Sequence, residues 1–138
     1  MAARGLRNNN PGNIIISTDD FIGEVKSTDK KFKKFATVVY GYRAMFCILH
    51  TKIVRHKMNT IRMIIESWAP EEDGNDTEGY IRNVCSFSKI NENRIIDIRN
   101  EDDMCAIGAA ISRQENGVKA IMADVKAGYR MMREDRTI

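Results

Sequence analysis

The chain changes its hydrophobic rhythm near Tyr40. Before it, "NIIIS" and "GEVKS" are short apolar runs separated by turn residues around Thr18 to Asp20, and "KKFKKFATV" alternates basic with aromatic positions at Phe32 and Phe35. Period-two patterning of this kind predicts a small antiparallel sheet of two or three strands over residues 14–35. After Tyr40, Met45, Ile48, Leu49 and Ile53 recur at helical spacing. "NTIRMIIESWAP" predicts a helix capped at Asn59 or Thr60 and stopped before Pro70. "NDTEGYIRNVCSF" predicts another, capped at Thr77 and burying Ile81, Val84 and Cys85. "NEDDMCAIGAAISRQENG" has the fullest helix signature: an Asn100 cap, three acids in the first turn and Gly117 as the stop. "VKAIMADVKAGYRMMRED" predicts a last helix interrupted near Gly128. The fold class expected is α+β, mainly α, with a small antiparallel β hairpin or sheet.

No repeat, low-complexity stretch or linker divides the 138 residues, so one domain over 1–138 is expected. A hydrophobic fraction of 43% and a charged fraction of 30% are those of a soluble globular protein. The longest apolar run, "AMFCIL", is too short to span a membrane, and "MAARGLRNNN" lacks the apolar core of a signal peptide. Synthesis in the cytoplasm follows as an expectation. Cys47, Cys85 and Cys105 lie in apolar patterns and are expected to be reduced core residues. With only His50 and His56 beside them, no paired-ligand spacing for a metal exists, and no cofactor is expected. A net charge of +3 suits an anionic polymer, either nucleic acid or cell wall.

One carboxylate breaks the pattern. The apolar stripe of the 101–115 helix runs Met104, Ile107, Gly108, Ile111, and its next position is Glu115. A carboxylate that continues an apolar face is expected to be partly buried or to line a cleft. Burial and the negative end of the helix dipole both disfavour its ionised form, which suits a general acid working near neutrality.

The opening segment "RGLRNNNPGNI", residues 4–14, is rich in Asn with a central Pro-Gly pair. By composition it is a flexible tail, although Asn and Gly also build defined loops. Two resemblances change that reading. "AAISRQENG" resembles the helix, Glu, small residue, Gly signature of lysozyme-like lytic transglycosylases and glucosaminidases, in which the Glu is the catalytic acid. "NNNPGNI" resembles the Asn-rich loop that follows that Glu in glucosaminidases of the flagellar and autolysin type. "FIGEVKSTDKKFKKF" resembles their hairpin and strand, "YGYRAMFCIL" the next helix, and "NDTEGYIRNV" their Tyr segment. The Glu helix here lies at the C-terminal end of this order, as a circular permutation would place it. Most of residues 4–85 also resembles phage and prophage proteins that begin G-(L/I)-R-N-N-N-P-G-N-(I/L) and contain G-x-R-A and W-A-P, a group described as phage structural proteins.

The resemblance implies a lysozyme-like fold and cleavage of peptidoglycan glycan strands, as muramidase, glucosaminidase or lytic transglycosylase. It implies Glu115 as acid, Asp29 or Glu24 as second carboxylate, and Tyr80 as a hydroxyl near the acid. Asn10 and Asn13 either bond sugar groups or lock their own loop. Trp68 is a candidate for stacking on a sugar ring, with Tyr42 (then Tyr40 and Tyr129) as weaker cleft candidates. Lys30, Lys31, Lys33 and Lys34 are expected on solvated hairpin faces, and His50 and His56 at a helix edge. Two other classes compete: a virion component that keeps the fold without activity, and a basic nucleic-acid-binding module. Against the latter, "KKFKKF" lacks the spacing of a stacking platform and no helix has a basic recognition face. A wall-cleaving protein made without a signal peptide would need a holin-like, membrane-permeabilising partner or a virion to reach its substrate.

Overall fold

The computed structural model describes residues 2–137. It is mainly helical with one small two-stranded antiparallel sheet. A short helix, α1 (Arg4–Arg7), leads into the Asn-rich loop. Strand β1 (Glu24–Val25) pairs with β2 (Lys34–Phe35) in the register Glu24 to Phe35 and Val25 to Lys34. Residues 14–16 lie along the other side of this hairpin, through Lys33 N–H to Ile14 O, Ile16 N–H to Lys31 O and an Ile15–Phe32 bridge. The extended reading of this third of the chain therefore holds, although regular strand is confined to four residues.

Lys33 departs from the expected solvated face. Its side chain is 1% exposed, and its ammonium donates to Glu24 at 3.0 Å and to the carbonyls of Asp19 at 2.7 Å and Ser17 at 3.3 Å. A buried cation is tolerated because a carboxylate and two carbonyls replace its water. The alternation around Phe32 and Phe35 did not reveal which lysine would turn inward.

Helix α2 (Val38–His50) starts at a Thr37 cap and is buried along nearly its whole length. Its C-terminal continuation, Thr51–Arg55, widens into a π turn. Thr51 Oγ1 donates back to Cys47 O at 3.2 Å, and His56 N–H reaches Thr51 O at 3.3 Å. Such back-bonding bends a helix, and π turns recur where side chains must be re-aimed. Helix α3 (Ile61–Trp68) starts at Thr60 and ends before Pro70, and a short 3-10 turn follows at Glu71–Asp73. Helix α4 (Thr77–Ser88) is capped by Asp76, which accepts from Gly79 N–H at 3.0 Å; Thr77, the expected cap, instead donates to Ala69 O at 2.6 Å. Helix α5 (Glu101–Asn116) has the Asn100 cap and left-handed Gly117 stop that the sequence announces. Its apolar stripe packs against α4 on one side and α6 (Met122–Arg136) on the other, and α6 runs along α2.

Helix α6 is continuous, with no break at Gly128. That glycine serves a close approach: a Cβ there would lie 2.5 Å from Tyr42 Cβ and 2.8 Å from Arg43 N. The three cysteines are free thiols, two buried and one partly so. Among the described residues no helix is long and apolar enough to cross a membrane, and no group of three or more His, Cys, Asp or Glu is placed to hold a metal ion.

The α2–α6 contact gives a test in which two effects oppose each other. Ala is about 1 kcal/mol better than Gly inside a helix. Overpacking against a backbone that cannot yield costs about 1–3 kcal/mol. Gly128→Ala is expected to lower the urea midpoint, by a net of up to about 2 kcal/mol. An unchanged or raised midpoint would mean that the two helices separate freely.

Candidate functional site

Glu115 lies on the last turn of α5, where the stripe passes from core to cleft, and it is half-buried. One carboxylate oxygen accepts from Asn13 Nδ2 at 2.7 Å and the other from the Tyr80 hydroxyl at 2.8 Å. The two donors come from the N-terminal loop and the first turn of α4, so Glu115 is held from both sides. A carboxylate oxygen can take two hydrogen bonds, which leaves one position on each for a proton or a ligand. Burial, then the charge of Glu115 and the hydrogen bond to it, push the Tyr80 hydroxyl well above the ordinary tyrosine range, with Trp68 pulling the other way. Tyr80 therefore stays a donor at physiological pH.

The loop that presents Asn13 is ordered by its own amides. Asn10 is fully buried: its Oδ1 accepts from Ile14 N–H at 2.9 Å, and its Nδ2 donates to Ile14 O at 3.0 Å and Lys33 O at 2.9 Å. Asn10 thus locks the loop and has no surface to offer a sugar. Asn9 and Asn13 adopt left-handed backbone, with φ of 51° and 50°, a conformation Asn tolerates better than most residues. Asn116 follows Glu115 and donates to Pro11 O and Ser112 O, both at 2.9 Å. Successive residues of α5 thereby grip the same loop. Gly5 closes the seam, since a Cβ there would lie 2.5 Å from Asn116 Oδ1 and 2.8 Å from Asn13 Oδ1.

Asp29 is bound into the same structure. Arg4 reaches it with two hydrogen bonds of 2.7 Å, and Asn8 Nδ2, Lys31 N–H and Phe32 N–H add three more. Five donors fill the acceptor capacity of one carboxylate. The Arg4 guanidinium first, then the backbone N–H of Lys31, hold its carboxyl far below the usual carboxylate range. Glu24 is paired with Lys33 and accepts from Phe21 N–H at 3.3 Å. Tyr42 lies in the core with its hydroxyl 2.9 Å from Ser112 Oγ, and Tyr129 is buried, donating to Ile98 O at 2.6 Å. Neither Asp29, Glu24, Tyr42 nor Asn10 lines the cavity that holds Glu115.

That cavity is about 380 Å³ and open to solvent on one side. Trp68, Gly12, Phe32 and Ile15 give it apolar walls; Lys31, Lys52, Ser67, Asp73 and Asn75 give it polar ones. Trp68 and Asn13 are thus with Glu115, and Tyr80 supports it from behind. Lys52 escapes sequence reasoning because it lies in the π turn, off the regular helical register, where its ammonium donates to Ser67 Oγ of α3. Asn116 had a faint signal, the "ENG" that ends α5. Burial lowers the pKa of Lys52.

The Asp29 bracket has a pH signature. A carboxyl whose folded pKa is depressed contributes stability that is present above its unfolded pKa, about 3.9, and lost as pH falls below that value toward the folded one. Asp29→Asn is expected to lower the thermal midpoint at pH 7, with the difference from the native protein shrinking by pH 2.5. A difference that stays constant over this range would show that the pairing with Arg4 is not what the carboxylate contributes.

No family model matches the chain. Among known proteins it is similar to Protein P5 of Pseudoalteromonas phage PM2, with 40% identity over 133 residues that cover 93% of this chain and 81% of the relative. The chain belongs to the family of this phage protein.

Proposed function

We propose that this protein cleaves the glycan strands of peptidoglycan through a single acid, Glu115, in the manner of a lytic transglycosylase, on a lysozyme-like domain whose catalytic helix comes late in the chain. The observation that carries the reading is the contrast among carboxylates. Glu115 is half-buried in an open cleft between two fixed donors, whereas Asp29 and Glu24 are both engaged by cations. Glu115 protonates the glycosidic oxygen as the bond to the anomeric carbon breaks, and positive charge develops on the sugar. The 6-hydroxyl of the same muramyl residue then attacks the anomeric carbon and returns its proton to Glu115. The product carries a 1,6-anhydro end, and no second carboxylate is required. Asn13 and Tyr80 hold the acid in place, and the half-buried indole of Trp68 offers a face for a sugar ring.

Asp73 is the other acid along the cavity, on the exposed turn after Pro70. Among the described residues no hydrogen bond or ion pair holds its side chain, so it is a poor template for a catalytic water. The phage origin of the relative fits a role at host lysis or infection. A virion component without activity is the second reading, and one observation favours it: the two hydrogen bonds on Glu115 also bolt the loop and α4 to α5.

Digestion of purified peptidoglycan followed by mass analysis of the fragments tests the proposal. Anhydro-muramic ends are expected, undiminished in Asp73→Asn. Reducing ends would replace the single-acid mechanism with hydrolysis, and no fragments at all would leave the virion reading.

A further inference from the structure

The cavity that holds Glu115 does not end at its own wall. A second cavity, of about 530 Å³, shares Ile48 and Lys52 with it, and Asp19, Asp20, His56 and Arg136 are among its lining residues. Lys52 therefore stands at the junction of a glycan-sized cleft and a side chamber. It is half-buried, and its ammonium donates to Ser67 Oγ. Among the described residues no carboxylate pairs with it, in contrast to Lys33 with Glu24 and Arg43 with Asp135. An ammonium has three donors, so two remain for a ligand. A half-buried cation without a counter-charge is costly to the fold, and an incoming anion would relieve that cost. The π turn at Thr51–Arg55 is the local irregularity that aims it here.

The side chamber carries both signs of charge, Asp19 and Asp20 as well as Lys52 and Arg136. A bare neutral glycan has no use for such walls. A short peptide with amino and carboxyl groups does. We propose that the side chamber takes the peptide arm of the wall glycan and that Lys52 binds its first free carboxylate, so that the protein selects peptide-bearing strands over bare ones. This rests on the glycan reading of the Glu115 cleft.

Binding separates the two claims, because it needs no cleavage. The full chain carrying Glu115→Gln would be titrated calorimetrically with three probes: a disaccharide-tetrapeptide fragment, the same fragment with amidated carboxyls, and chitotetraose. The free-carboxyl fragment is expected to bind at least ~10-fold tighter than its amidated form, the span of one charge-assisted hydrogen bond. Adding Lys52→Met should remove that preference, bringing the free-carboxyl fragment down to the affinity of its amidated form. Equal affinity for the two fragments overturns the proposal without any variant, as does equal weakening of all three probes by Lys52→Met or a failure of every probe to bind. A carboxylate preference in a protein whose native form cuts no peptidoglycan would sustain the Lys52 site and defeat the catalytic reading. Cleavage without the preference would do the reverse.

Discussion

The structure depends on a seam between two polar surfaces that must satisfy each other: the Asn-rich loop and the C-terminal turn of α5. A helix end leaves carbonyls without partners, and an irregular loop leaves both donors and acceptors. Burying either alone costs about 1–3 kcal/mol for each unmet group. Here Asn116 bonds the loop at Pro11 O, Asn13 bonds Glu115, and Asn10 bonds the backbone on both sides of the turn. Most of the demands cancel, so the seam can be buried and narrow. Two amide oxygens, on Asn13 and Asn116, stay unpartnered beside Gly5, and they show how little room the seam leaves.

The position of the cleft follows from this seam. Helix α5 is held by apolar packing against α4, α2 and α6 up to Ile111 and Ser112, and by hydrogen bonds to the loop thereafter. Glu115 lies at the changeover. The hairpin reaches the same place because β2 carries the loop: Phe35 N–H bonds Asn8 O at 2.9 Å, and Asn9 Nδ2 bonds Phe35 O at 3.0 Å. Asp29 then clamps the start of α1 through Arg4, which also lies 4.6 Å over the Phe32 ring. One wall of the cavity is therefore the hairpin and its loop, and the other is α3 with Trp68.

What the sequence disclosed and what it hid divide along physical lines. Helix ends were legible at Thr60, Asn100 and Gly117, because capping chemistry is local and residue-specific. Glu115 was legible because one acid broke a hydrophobic period. The order of the Asn-rich loop was not readable from its composition, since beside the local Asn10–Ile14 bonds its partners lie in the hairpin, at Lys33 and Phe35, and more than a hundred residues away, at Glu115 and Asn116. Asp29 had the charge of a catalytic acid, and only the approach of Arg4 and three N–H groups reveals it as a bracket. Lys33 and Gly128 were misjudged for a related reason: burial of a lysine and close contact at a helical glycine are set by tertiary neighbours. Lys52 was invisible because a π turn shifts the register on which helical spacing relies.

The central claim is that Glu115 serves as an acid and not merely as the bolt of the seam. Gln has the same shape and keeps a carbonyl acceptor, but it has no proton to give. The decisive measurement is the rate of peptidoglycan cleavage by Glu115→Gln against the native protein, with both unfolded in urea alongside. A rate loss of at least ~10² with an unfolding midpoint close to the native one is the expected result. Cleavage at the native rate, or a midpoint that falls steeply, would contradict the account and make Glu115 a structural residue.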